Sequence, residues 1–173
     1  MNRMHNDTEK TPQKVLVAGS FDPVTKGHIM LIDYAAKHYE QVYAVIFINA
    51  EKTYYFSLDQ RVALLRAACT AYTNVTVDFC NGMQYEYARE HGITRALRGY
   101  RNEQDLQYEK IVADFNENAP WKLETELLAC EEELRQISST KIRELLALGG
   151  DFGGLVPENT VPLLEKIVKE KQV

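Results

Sequence analysis

Cysteine is scarce in this chain. Cys69, Cys80 and Cys130 are an odd number, widely spaced and without a Cys-x-x-Cys pair. A disulfide scaffold and a zinc ribbon are excluded on that ground, and a reducing cytoplasm is the expected compartment. Basic charge is also short. Twenty Lys plus Arg stand against 25 Asp plus Glu, a formal net charge of −5. Such a balance lacks the basic footprint of a nucleic-acid or anionic-membrane binder, so neither is expected as a partner. It does not exclude a local anion site, because net charge is a sum over the chain and a pocket is not. No apolar run approaches the roughly 20 residues that a membrane helix needs. The opening MNRMHNDTEKTPQK has no apolar centre, so it is not read as a secretory signal. Internal repeats, low-complexity stretches and long linkers are missing too. The 173 residues therefore read as a polar tail over 1–13 and a single domain over 14–173.

What is present is a strict alternation of strand and helix. Val15–Ala18, ended by Gly19, is a short apolar run that predicts a buried strand. A helical pattern is expected from about His28, with Ile29, Leu31, Ile32, Ala35 and Ala36 at helical spacing. Val42–Ile48 predicts a second strand. Ser57 with Gln60 three residues on forms a capping box, opening a helix that runs to about Tyr72. Val75–Phe79 predicts the third strand, and Met83–Glu90 a short helix stopped by Gly92. Thr94–Leu97 is expected as the fourth strand, leading into Arg98-Gly99. A helix over about 102–118 follows, with Leu106, Ile111, Val112 and Phe115 on one side. Leu123–Cys130 predicts the fifth strand. Ser138-Ser139-Thr140 precedes a helix ending at Gly149-Gly150, and a last helix is expected over about 158–169. This order predicts an α/β fold: a doubly wound, parallel five-stranded sheet with right-handed crossovers. Ligands of such sheets sit beyond the carboxyl ends of the strands. Chemistry is therefore expected after Ala18, after Ile48, after Leu97 and before the Ser138 helix.

Four clusters occupy those places. The first is Gly19-Ser20-Phe21-Asp22-Pro23-Val24-Thr25-Lys26-Gly27-His28. Glycines let a backbone approach an anion closely, and a helix start near His28 offers free N–H groups and a favourable dipole. A lone Gly-His pair would be an ordinary turn. The second is Lys52, in the loop after the second strand, a mobile point charge able to meet a phosphate and, taken by itself, a surface lysine. The third is Arg98-Gly99-Tyr100-Arg101 with Asp105 and Glu109. Guanidinium forks bind phosphate oxygens bidentately, and the two acids at i, i+4 could hold the arginines. A surface ion-pair network is the plainer reading. The fourth is Ile137-Ser138-Ser139-Thr140 with Lys141 and Arg143, an anion cradle at a helix start or simply an N-cap.

Taken together, the clusters are recognisable. Gly19–His28 resembles the G-[ST]-F-D-P-x-[TH]-x-G-H signature of the nucleotidylyltransferase superfamily. Thr25, Phe56-Ser57 behind Lys52, and R-G-x-R followed by Asp105, Tyr108, Glu109 and Asn116 resemble its phosphopantetheine adenylyltransferase branch. Ile137–Thr140 resembles the superfamily's I-S-S-[ST] motif. The resemblance implies a Rossmann-like nucleotidylyltransferase fold. It also implies transfer of the adenylyl group of ATP to 4′-phosphopantetheine, giving dephospho-coenzyme A and pyrophosphate. Mg²⁺ is then expected with ATP, held by phosphate and water with no protein metal ligands.

By the same resemblance, His28, Ser20, Lys52 and Arg98 carry catalysis, and Ser20, Lys52, Met83 and Arg98 hold the acceptor. Ser20, Phe21, His28, Gly99, Tyr100, Arg101, Glu109, Leu134, Arg135, Gln136, Ile137, Ser138, Ser139 and Thr140 line the ATP site. Leu134-Arg135-Gln136 stands where the family usually has an aromatic-Ser-aromatic stretch. Ala18 replaces the usual Pro, and the loop lacks the common Lys-Lys-Pro. A homo-oligomer, a hexamer, and feedback inhibition by coenzyme A are also implied. An adenylyl- or cytidylyltransferase for another phosphate acceptor, or a degenerate nucleotide-binding module, remain as alternatives. The cysteines are expected as small core residues, Tyr54 and Tyr55 as walls of the pantetheine arm or as packing, and the acidic Glu131–Glu133 run as lying away from the motifs.

Overall fold

The computed structural model describes residues 11–172. Strands β1 (Thr11–Gly19), β2 (Tyr39–Phe47), β3 (Val75–Cys80), β4 (Arg95–Tyr100) and β5 (Glu124–Ala129) alternate with helices. These are α1 (Lys26–His38), α2 (Leu58–Ala68), α3 (Gln84–His91), α4 (Glu103–Glu117), α5 (Ser139–Ala147) and α6 (Val161–Lys171). The sheet order is β3-β2-β1-β4-β5, and every pairing is parallel. The α/β, doubly wound, five-stranded expectation is thus what the chain adopts. Its order reverses between β1 and β4, which makes the carboxyl ends of those two strands the crevice of the fold.

Alternation along the central strands builds a core on each face. Val15 and Val17 of β1, with Val42, Ala44 and Ile46 of β2, face the larger one, shared with Ile32 of α1, Leu64 and Leu65 of α2, Ile142 of α5 and Leu164 of α6. Leu16 and Val45 point the other way, to Tyr87 and Ala88 of α3 and to Ile93, Ala96 and Leu123. Each fully buried side chain of this kind contributes about 1.5–3 kcal/mol. Gly92 ends α3 with φ of 66°, the left-handed region where glycine is favoured. No helix among the described residues is long and apolar enough to cross a membrane.

Several boundaries differ from expectation, each for a tertiary or capping reason. Thr11 of β1 pairs with Tyr39 of β2, so the strand starts inside the expected 1–13 tail, whose first ten residues lie outside the described residues. β4 continues through Arg98 and Gly99, because Gly99 and Tyr100 have β5 partners in Leu128 and Ala129. Those residues are therefore strand, not the loop after it. The side of α4 bearing Ile111 and Phe115 is not a core face. Ile111 is 69% exposed and Phe115 56%, with Tyr108 beside them at 61%, and only Asn116 of the helix is buried. Periodicity located the stripe, but nothing among the described residues covers it. Cys69 and Cys130 are buried, as expected, while Cys80 is half-buried.

Candidate active site

The signature loop leaves β1 at Gly19 and turns sharply. Phe21 takes φ of 46°, an uncommon conformation for a non-glycine residue, and its buried ring packs on His28 with centroids 4.8 Å apart. Helix α1 starts at Lys26, two residues before the expected position, because Thr25 caps it. The Thr25 N–H donates to His28 Nδ1 at 3.0 Å, and the His28 N–H donates to Thr25 Oγ1 at 3.2 Å. His28 thus occupies the place of the usual capping-box Glu or Gln. With Nδ1 accepting, the imidazole proton sits on Nε2, and the neutral ring is a hydrogen-bond donor there. Burial, and secondarily the nearby Arg101 charge, push the His28 pKa down to about 4, so neutral His28 is the form present at pH 7.

Arg98 on β4 and Arg101 just after it each meet one carboxylate of α4. Arg98 Nε and Nη2 both donate to Glu109, and neither side chain is more than 18% exposed. Arg101 donates from Nε to Asp105 Oδ2 at 2.8 Å, and its backbone N–H reaches the same oxygen at 3.1 Å. The hydrogen bonds from Arg101 hold the Asp105 carboxyl below its ordinary range. The i, i+4 spacing of the two acids works as expected, one turn of helix apart and one arginine each. Between the arginines, a Cβ on Gly99 would lie 3.0 Å from Leu31, so the glycine lets α1 approach the strand.

Helix α5 begins at the third side of the crevice. Ser138 Oγ accepts from the Lys141 N–H at 3.1 Å as the N-cap. Ser139 Oγ donates to the Pro23 carbonyl at 2.8 Å, and Arg143 Nη1 donates to the Asp22 carbonyl at 2.7 Å. Thr140 Oγ1 accepts from Arg143 Nη2 at 3.1 Å. The helix start is thereby fastened to the signature loop.

These elements enclose a cavity of about 300 Å³ lined by Thr25, Gly27, His28, Met30, Leu31, Gly99, Tyr100, Arg101, Cys130, Ile137, Ser138, Ser139 and Thr140. One wall is thus cationic and rich in hydroxyl and N–H donors, and another, at Met30 and Leu31, is apolar. Such a cavity suits an organic body with an anionic end. Of the residues expected at the nucleotide, His28, Gly99, Tyr100, Arg101 and Ile137–Thr140 meet here, whereas Ser20, Phe21, Glu109, Leu134, Arg135 and Gln136 are not in the lining. Phe21 acts behind His28, and Glu109 faces Arg98. The expected acceptor residues Lys52, Met83 and Arg98 also lie outside this lining. Lys52 is exposed in its loop, and Met83 is exposed just before α3.

Other residues were not legible from motifs. Met30, Leu31 and Cys130 join the lining through packing of α1 and β5. Burial raises the Cys130 thiol pKa. Arg61 of α2 is 2% exposed, donates from Nη1 to the Ser20 carbonyl at 3.0 Å, and lies 3.9 Å from the centre of the Tyr54 ring. Tyr54 therefore packs on Arg61, and Tyr55 packs on Phe56. The sequence hints of Arg61 were its place at the end of the family-like Phe56–Arg61 stretch and a charge beside the apolar Val62 and Leu64. The acidic run is not remote, in contrast to expectation. The Glu131 N–H donates to Met30 Sδ at 3.4 Å, and Glu131 follows the lining residue Cys130 directly.

Comparison with known proteins agrees with this geometry. The cytidylyltransferase-like family model matches residues 16–145. A phosphopantetheine adenylyltransferase of Streptococcus equi subsp. zooepidemicus is 40% identical over 153 residues, 88% of this chain and 92% of that protein. Proteins of the same name from Streptococcus mutans and Finegoldia magna are 37% and 34% identical, each over 91% of this chain and 95% and 98% of their own lengths. Among solved structures, a Vibrio parahaemolyticus protein assigned as a nicotinate-nucleotide adenylyltransferase superposes with a TM-score of 0.59. It covers 89% of this chain and 99% of its own, and at 18% identity the likeness is one of fold. With motifs, fold and full-length relatives in agreement, the chain belongs to the phosphopantetheine adenylyltransferase family of cytidylyltransferase-like proteins.

Proposed function

We propose that this protein transfers the adenylyl group of ATP to 4′-phosphopantetheine, giving dephospho-coenzyme A and pyrophosphate. The observation that carries the proposal is the cavity at the β1/β4 switch point, with a neutral His28, Arg101 and the α5 N-terminus on its walls. A phosphate oxygen of the acceptor attacks the α-phosphorus of ATP. The bond from that phosphorus to the α–β bridging oxygen breaks, and pyrophosphate leaves with the electron pair. The acceptor is already an anion, so no general base is required. The barrier lies in bringing two polyanions together and in the charge on the transition-state oxygens, which positioned donors offset.

In this reading, His28 Nε2–H hydrogen-bonds the α-phosphate, the only ring nitrogen free to do so. Arg101 and the N–H groups and hydroxyls at the start of α5 hold the β- and γ-phosphates. Lys52 and Arg98, with Ser20 and Met83, hold the acceptor. Arg98 already donates from Nε and Nη2 to Glu109, which fixes its guanidinium and leaves Nη1 for an incoming phosphate. Among the described residues no three His, Cys, Asp or Glu side chains converge as a metal cage. Mg²⁺ would enter with ATP as the MgATP substrate, where phosphate oxygens and water would hold it. The exposed Tyr108, Ile111 and Phe115 on α4 support a homo-oligomer. Three free thiols support a reducing, cytoplasmic setting.

The deciding experiment is a coupled pyrophosphate-release assay with MgATP and 4′-phosphopantetheine, run beside other phosphate acceptors and CTP. Release that depends on 4′-phosphopantetheine supports the proposal. Preference for another acceptor, or ATP binding without release, overturns it.

A further inference from the structure

Among the groups assigned to the acceptor, Lys52 stands in a loop and not on a helix or strand. A lysine is a point charge on a flexible stem, so its loop must supply the placement that the side chain cannot. Part of that order is internal. The Asn49 N–H donates to the Tyr54 hydroxyl at 2.9 Å, and the Lys52 N–H donates to the Asn49 carbonyl at 3.1 Å. The loop is attached to the rest of the protein by Arg61 under the Tyr54 ring, by Lys171 Nζ, which donates to the Tyr55 carbonyl at 2.8 Å, and, on the side of the signature loop, by Asp22. Its side chain is buried, at 4% residue exposure, and both carboxylate oxygens are directed at the far end of the loop. Oδ2 accepts from the Tyr55 N–H at 2.9 Å, and Oδ1 accepts from the Phe56 N–H at 2.9 Å.

A buried carboxylate is costly unless hydrogen-bonded, and charge-assisted bonds to backbone amides are among the stronger ones. The nearest cationic group, Arg143 Nη1, is 3.9 Å from Oδ2, so the two amides are the short contacts of this carboxylate. Asp22 also lies in the loop between Ser20 and His28. The segment that places His28 thus determines where the Lys52 loop is anchored. We infer that Asp22 is a positioning residue that sets Lys52 relative to His28 through the amides of Tyr55 and Phe56. The inference rests on reading Lys52 as a ligand of the acceptor phosphate. It predicts an effect confined to the acceptor side. The hydrogen bond between Asp22 and α5 runs through the Asp22 backbone carbonyl, which accepts from Arg143 at 2.7 Å and survives a side-chain change; the carboxylate itself stands 3.9 Å from that guanidinium, beyond hydrogen-bond distance.

The test is steady-state kinetics with MgATP and 4′-phosphopantetheine on the wild type, Asp22→Asn, Lys52→Ala and the double variant. Asparagine keeps the size but turns one acceptor into a donor facing an N–H. Asp22→Asn is expected to raise the acceptor KM about tenfold and to leave the ATP KM within about twofold. In the Lys52→Ala background the same change adds less than about twofold, because the loop then has no group to place. If Lys52→Ala leaves the acceptor KM unchanged, the reading of Lys52 is wrong. If Lys52→Ala raises it but Asp22→Asn is fully additive, or shifts both KM values alike, Asp22 is structural only and the inference is overturned. Should Asp22→Asn not fold, an ester in place of the Tyr55–Phe56 amide removes one N–H and no side chain. The same acceptor-specific, Lys52-dependent rise is then expected, and an unchanged acceptor KM overturns the inference.

Discussion

Thr25 and His28 close the first turn of α1 on each other, backbone N–H to ring nitrogen at 3.0 Å and backbone N–H to hydroxyl at 3.2 Å. The pairing leaves the imidazole proton on Nε2, and burial, with the Arg101 charge second, keeps the ring neutral. Replacing His28 with Ala is expected to lower kcat about 10²–10³-fold, as for other single donors aimed at transition-state charge. ATP affinity, measured by titration calorimetry, should change far less. Near-normal turnover would remove His28 from the chemistry.

The neutral His28 ring has a pH signature in stability. The folded-state pKa is pushed down to about 4, whereas the unfolded chain takes up the proton near its ordinary value of about 6.5. Between those values the unfolded state binds more protons, so stability falls as pH drops through that window and is unaffected above it. Thermal melts of the wild type and His28→Gln from about pH 7.5 down to about pH 4.5 should converge as pH falls. Parallel curves would contradict the lowered pKa of the ring.

Arg98 donates two hydrogen bonds to Glu109 in a half-buried setting. Arg98→Ala is expected to weaken 4′-phosphopantetheine binding about tenfold or more, the scale of a hydrogen bond to a charged group, while ATP binding changes little. Calorimetric titration of each substrate separates the two. Equal losses for both would mean that Arg98 serves general structure.

Ser138 caps α5 with a single side-chain acceptor. Ser138→Ala should cost about 1 kcal/mol of stability and Ser138→Gly only a few tenths, by chemical denaturation. If the helix start also holds the triphosphate, Ser138→Ala raises the ATP KM as well. An unchanged ATP KM alongside the stability loss would leave the serine as a cap alone.

Tyr108, Ile111 and Phe115 form an exposed apolar stripe along α4. Ile111→Asp is expected to shift the protein toward smaller species in light scattering, because an interface core excludes charge. An unaltered mass would place any subunit contact elsewhere.

Local features were legible because their physics is local. Ser57 and Gln60 cap α2 as a reciprocal pair, and both residues lie within one turn. The acids of α4 meet Arg98 and Arg101 because i, i+4 residues share a helix face. The start of α1 was placed late because a histidine fills the third position of the cap, where Glu or Gln is usual. The stripe on α4 was visible as a period, but a period does not say whether the covering surface belongs to the same chain.

The amino-acid order by itself determined the strand–helix alternation and the four clusters, since each depends on residues a few positions apart, and the alternation implied a parallel sheet through its crossovers. Tertiary structure decided what joins the clusters. Asp22 reaches amides 33 and 34 residues away, Arg61 reaches Ser20 across 41, and Arg143 reaches Asp22 across 121. Bonds between groups so distant depend on the pairing of β1 with β2 on one side and β4 on the other. That pairing brings the strand ends, and the loops they carry, within a hydrogen bond of one another.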